Sequence, residues 1–159
     1  MPIRSDIVKP DQPAPDFSLN DIKGQTVTLS AFQGRQNIIL VFLRHFLWPF
    51  CRRHMAQLRQ DYQKFQALDT EILAVAYDNV ENSVEYFTQN KLPFPGLVDS
   101  SHTVFDQYDV ASKAISLGQR PGLFVIDKHG IVQFAHIGSQ QYDIPTNKVI
   151  LKVLEGLPA

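Results

Sequence analysis

Cysteine is almost absent from this chain: among 159 residues only Cys51 carries a thiol, so no disulfide can close within it. Small secreted domains usually hold an even set of cysteines, and a lone one points instead to a reducing, cytoplasmic setting. Net charge is missing too. The 15 Lys and Arg residues nearly cancel the 16 Asp and Glu, which leaves no overall field to draw the chain to nucleic acid or to an anionic membrane. No run approaches the roughly 20 apolar residues of a membrane span. The first eleven residues, with Ile3, Ile7 and Val8 as their large apolar side chains, are too polar for a signal-peptide core. The 5 histidines show no H-E-x-x-H or comparable ligand spacing, and with a single thiol a zinc site is not expected. No G-x-G-x-x-G or Walker loop is there to hold a nucleotide. Neither a metal nor a cofactor is anticipated.

What is present suits one compact domain over residues 1–159, with 44% hydrophobic residues to fill its core. Three prolines between Pro10 and Asp16 withdraw backbone donors and predict an extended lead-in. Phe17-Ser18-Leu19 and Thr26-Val27-Thr28-Leu29 alternate apolar with polar around Lys23-Gly24, the pattern of a short hairpin at a sheet edge. Asn37 to Leu43 is a nearly continuous apolar run, as expected of a central strand covered on both faces. From Pro49, a residue suited to the first helical position, Cys51, Met55, Leu58, Tyr62 and Phe65 recur at helical spacing and predict one helix to about Leu68.

Glu71 to Tyr77 reads as a second buried strand. Asp78 or Asn79 can cap a helix that carries Val80, Val84 and Phe87 on its inner face. After Pro93 and Pro95, His102 to Tyr108 is at most a short helix. Leu123–Ile126 and Ile131–Ala135 flank Asp127-Lys128-His129-Gly130, a turn between antiparallel strands. A last helix with Val149, Ile150, Val153 and Leu154 inward ends near Gly156. Parallel strand-helix units, an antiparallel hairpin and a closing helix predict an α/β domain: a central mixed β-sheet flanked by helices on both faces.

Chemistry is expected where the central strand gives way to the long helix, because sites in open sheets form at such turns. Cys51 lies there, at a helix N-terminus whose partial positive charge and unpaired N–H groups favour a thiolate over a thiol. Arg44, Arg52 and Arg53 act in the same direction. A first helical turn ordinarily favours Asp or Glu, and two arginines in that place break the rule in a way an anionic sulfur would benefit from. The competing reading is a small hydrophobe filling the top of the apolar stripe. Of the nearby histidines, His45 could act as a base for Cys51 but reads more readily as a structural donor at the strand end, and His54 reads as a surface position. Trp48 and Phe50 could wall an apolar substrate pocket or simply pack.

Phe42-Leu43-Arg44-His45-Phe46 followed by Pro49-Phe50-Cys51-Arg52 resembles the strand-to-helix turn of the alkyl hydroperoxide reductase and thiol-specific antioxidant group, the peroxiredoxin-like branch of the thioredoxin fold. Ala14-Pro15-Asp16-Phe17 and Gly122-Leu123-Phe124-Val125-Ile126-Asp127 with Gly130 resemble further landmarks of that group, so the likeness runs across most of the chain. Departures accompany it. Many members carry Cys-Pro-x-Cys here, whereas Trp48 replaces the first cysteine and Cys51 matches the second. Trp48 also stands where peroxidases carry a Thr or Ser that helps hold peroxide, and Arg44 stands where they carry proline. The family's late-strand arginine corresponds to Pro121, with Arg120 displaced by one. A proline at Pro121 resembles the thioredoxin group, where it is cis and lies against the cysteine.

The resemblance implies a one-cysteine, thiol-dependent peroxidase with Cys51 as nucleophile and Arg44 or Arg120 stabilising charge. Trp48, Pro49, Phe50 and Pro121 would line the substrate site. Its partners would be a hydroperoxide substrate and an external thiol reductant, such as thioredoxin, glutaredoxin or a low-molecular-weight thiol, with a homodimer in view. The alternative is a redox-inactive thioredoxin-fold module that uses Trp48, Phe50 and the neighbouring strand edge to bind protein.

Overall fold

The apolar run after Gln36 becomes the middle strand of the molecule. A computed structural model describes residues 8–43, 49–77, 79–110, 121–138 and 143–157, with residues 49 and 50 described by their backbone alone. In chain order the elements are β1 (Ser18–Asn20), β2 (Thr26–Thr28), β3 (Asn37–Leu43), α1 (Pro49–Gln60), α2 (Tyr62–Gln66), β4 (Thr70–Ala76), α3 (Val80–Asn90), β5 (Gly96–Val98), α4 (Thr103–Gln107), β6 (Gly122–Ile126), β7 (Val132–Ile137) and α5 (Asn147–Glu155). Five strands form one sheet in the order β5-β4-β3-β6-β7. β3, β4 and β5 run parallel, while β6 opposes β3 and β7 opposes β6. The sheet is therefore mixed, as the sequence pattern predicts.

Side chains alternate across a strand, so each central strand feeds two cores. Ile39, Val41 and Leu43 of β3 join Met55, Leu58, Tyr62, Phe65, Tyr86, Phe87, Ile150 and Leu154 on the face covered by α1, α2, α3 and α5. Ile38, Leu40 and Phe42 point the other way, to a core closed by α4 and the N-terminal segment. There Phe42 meets Phe105 and Tyr108 at ring-centre distances of 5.0 and 5.3 Å. Burial on both faces explains why β3 and β4 show no polar alternation. The hairpin β1–β2 forms its own two-stranded sheet rather than an edge of the main one, linked to β5 by a single bridge from Asp21 to Leu97. Its turn needs Gly24, at φ +82°.

Three expectations need correction, and one strand was not foreseen. The helix after Pro49 does not run to Leu68: it breaks at Asp61 (φ −109°, ψ 18°), and α2 continues the same apolar stripe. The break is where α5 is tied down, since Asn147 Nδ2 donates to the Gln57 carbonyl (2.6 Å) and to the Asp61 carboxylate (2.9 Å). A polar group left unpaired in such a place costs about 1–3 kcal/mol. In α3 the inner face is Ser83, Tyr86 and Phe87, while Val80 is 53% exposed. Ser83 fits this face because its hydroxyl donates to the Asn79 carbonyl at 2.8 Å. Val149 of α5 is likewise exposed, while Ile150 and Leu154 are buried and Val153 packs against the same core. Finally, β5 is a strand that three apolar residues after two prolines did not signal; its parallel pairing with β4 creates it.

Candidate active site around Cys51

β3 and β4 are parallel and in register from Asn37 with Thr70 to Leu43 with Ala76, so both strands deliver their C-terminal ends to one edge of the sheet. The chain leaving β3 returns as α1, with Pro49 at its first position and Cys51 at its third. No acidic residue occupies the first turn of α1, and Arg52 and Arg53 are exposed beside the thiol. Cys51 itself is half-buried and packs against the core under α1 and α3. Tyr86 of α3 is its neighbour across the helix pair. The Arg52 guanidinium lies over the Tyr86 ring, 5.9 Å from its centre. Burial pushes the Tyr86 hydroxyl above the ordinary tyrosine range, the Arg52 and Arg59 charges pull it back, and Cys51 adds a push upward. Arg59 Nη1 donates to the Asn90 carbonyl at 2.7 Å, which fixes α1 against the end of α3.

One turn below Cys51, His54 is 1% exposed, and among the described residues neither ring nitrogen has a hydrogen-bond partner. Burial lowers its pKa to about 4, so the imidazole is neutral at any ordinary pH. Pro121 is buried beside the same edge: Gly122 stands opposite Phe42 in the ladder, and the Pro121 carbonyl accepts from Gly138 N at 2.8 Å. The rim is continued by Tyr77, whose N–H donates to the Leu43 carbonyl at 3.3 Å and whose ring stacks on His102. Asp99 follows, with one carboxylate oxygen accepting from Phe105 N at 2.8 Å. Among the described residues no group of His, Cys, Asp and Glu is gathered to hold a metal ion.

Against known proteins, residues 10–135 match the AhpC/TSA family. The chain belongs to that family. Peroxiredoxin Q from the chloroplast of Oryza sativa subsp. japonica is 30% identical over 146 residues, covering 91% of this chain and 65% of that protein. The chain thus spans just under two-thirds of that relative's length. Alkyl hydroperoxide reductase E of Mycobacterium tuberculosis (strain ATCC 25618 / H37Rv) is 32% identical over 126 residues, 78% of this chain and 82% of the other. The crystal structure of peroxidoxin BcpB from Mycobacterium tuberculosis superposes with a TM-score of 0.83 at 19% identity, covering 96% of this chain and 99% of that one. The fold is thioredoxin-like, as the sequence landmarks imply.

Within this AhpC/TSA chain, Cys51 and Pro121 reach the same end of the sheet, and Pro49 opens the helix that carries the thiol. Arg44, His45, Trp48, Arg120 and the Arg120–Pro121 peptide bond lie outside the described residues, as does the Phe50 side chain. His54 is not a surface position. An apolar stripe at least 100° wide takes in i+3 as well as i+4, so the stripe drawn through Cys51, Met55 and Leu58 already included it. Tyr86 is a second residue that sequence reasoning passed over. The signal was the 83, 86, 87 spacing, obscured by the more apolar Val80 and Val84, which are exposed and half-buried.

Proposed function

We propose that this protein reduces hydroperoxides through Cys51, as a one-cysteine, thiol-dependent peroxidase. The observation that carries this reading is the place of Cys51: half-buried in the first turn of α1, with two arginines beside it and no acidic residue in the turn. Helix-terminal N–H groups and guanidinium charges favour the thiolate, which is the nucleophilic form. Attack on the terminal peroxide oxygen breaks the O–O bond: the Cys51 thiolate, the hydroperoxide and a proton give the Cys51 sulfenic acid and an alcohol or water. The sulfur is oxidised by two electrons and the peroxide reduced by two.

Positive charge near the departing oxygen stabilises the alkoxide as it forms. Arg44 and Arg120 are assigned to that role, with Trp48, Pro49, Phe50 and Pro121 as the walls of the substrate site. No second cysteine can resolve the sulfenic acid within the chain. A thiol from outside, of thioredoxin, glutaredoxin or a small thiol, displaces water to form a mixed disulfide, and a second thiol releases Cys51. The protein then works alone or as a homodimer.

The test is hydroperoxide consumption in the presence of each reductant class. Many equivalents of peroxide consumed per protein are expected with at least one of them. Arg44→Ala and Arg120→Ala are each expected to slow the oxidation step, by about 10-fold to 1,000-fold for a donor aimed at the developing charge. No turnover with any thiol would remove the peroxidase reading, and unchanged rates in both variants would remove the two arginines from it.

A further inference from the structure

His54 is polar, buried and without a hydrogen-bond partner among the described residues, on the helix that carries Cys51. An unpaired buried donor and acceptor oppose folding, so their retention calls for a group that meets them in some state of the protein. Cys51, His54, Met55 and Leu58 follow i, i+3, i+4, i+7 spacing, and the last three are all buried. They share one face. Helical side chains lean back toward the N-terminus, so residue i+3 covers the turn of residue i. Helix geometry therefore favours an imidazole that leans toward the first turn, on the side of Cys51. The thiol is not its partner in this state, since neither nitrogen bonds to a described residue.

Resting on the peroxidase reading, we propose that His54 is the hydrogen-bond partner of the oxygen that Cys51 acquires. Oxidation extends the side chain by one S–O bond, and a neutral imidazole offers one N–H donor and one acceptor nitrogen to a sulfenic hydroxyl. Burial keeps the ring in that neutral form. The His54 N–H bound to the sulfenic oxygen withdraws electron density from the sulfur, which slows its attack on a second peroxide to give sulfinic acid. The same bond favours departure of that oxygen when an external thiol attacks: the sulfenic acid and the thiol give a mixed disulfide and water, the proton coming from the thiol. His54 therefore sets how oxidised Cys51 partitions between recycling and irreversible loss.

The experiment compares the wild-type chain with His54→Phe, which keeps a ring and loses both nitrogens, and His54→Gln, which keeps a donor and an acceptor. The peroxide concentration that converts half the protein to sulfinic acid during turnover is read by mass spectrometry. For His54→Phe it is expected to fall about tenfold, the worth of one hydrogen bond, and His54→Gln is expected to recover most of the loss. In the wild-type protein alone, the ring nitrogen resonances of His54 are expected to move on stoichiometric oxidation. A merely structural histidine would alter melting in the variants and leave the partition unchanged. Unmoved ring signals in a protein whose Cys51 does form sulfenic acid would overturn this proposal alone, whereas a wild-type Cys51 that never forms it would overturn the peroxidase reading as well.

Discussion

Cys51→Ser is expected to abolish peroxide consumption down to the uncatalysed background while leaving the fold in place. Serine is nearly isosteric with cysteine, and the side chain sits half-buried at the edge of the core rather than within it. The loss follows from chemistry. A serine hydroxyl stays protonated where a thiol at a helix N-terminus ionises, and oxygen has no counterpart to the sulfenic acid that cysteine forms and sheds reversibly. The wild-type thiol should titrate below the ordinary value of about 8.5, because the helix terminus, Arg52 and Arg53 all favour its anion. Alkylation rate against pH measures this, and circular dichroism of Cys51→Ser verifies the fold. Peroxide consumption that survives the substitution would place the reaction elsewhere.

The second large effect is on stability and comes from His54. Its pKa in the folded protein is about 4, lowered from 6.5 by burial. The unfolded chain therefore takes up a proton between these values that the folded chain refuses. Stability from this group is full above about pH 6.5 and is lost as pH falls toward 4, by about 3 kcal/mol in all. Glu71 works in the opposite sense. Burial raises its pKa even though Ile72 N and the Tyr62 hydroxyl donate to its carboxylate, so the stability it contributes is present at low pH and fades as pH rises through its folded value. The wild-type curve is the sum of both, and comparison with His54→Phe isolates the histidine. Chemical denaturation from about pH 7 to pH 4 should show the wild-type protein losing about 3 kcal/mol more than the variant. Parallel curves would mean that His54 is solvated in the folded protein.

The elements that the sequence announced are those whose pattern reflects burial or a local cap. β3 is apolar at six of the seven positions in Asn37–Leu43 because both its faces are covered, and Asn79 caps α3 through its side-chain oxygen. What stayed hidden depended on partners distant in sequence. The Asp61 break is recognisable only with Asn147, 86 residues later, in contact with it. β5 exists because β4 offers a parallel edge, and Gly96 is required there because a Cβ would run into the Phe87 ring. At the site, the position of Cys51 was legible from the strand-to-helix turn, since Pro49 and the apolar stripe marked the helix start. Tyr86 and His54 were passed over although their helical spacing carried a signal, because polar atoms on a helix read as outward-facing until the opposing helix is in place.

Stoichiometric oxidation tests the central claim most directly. The protein is treated with one equivalent of hydrogen peroxide, trapped with a dimedone-type reagent that reacts with sulfenic acid, and digested for mass spectrometry. Rapid, near-complete labelling confined to the peptide that contains Cys51 is the expected result, with none in Cys51→Ser. A Cys51 that remains an unmodified thiol while the peroxide persists would contradict it, and the chain would then be a thioredoxin-fold protein without peroxide chemistry.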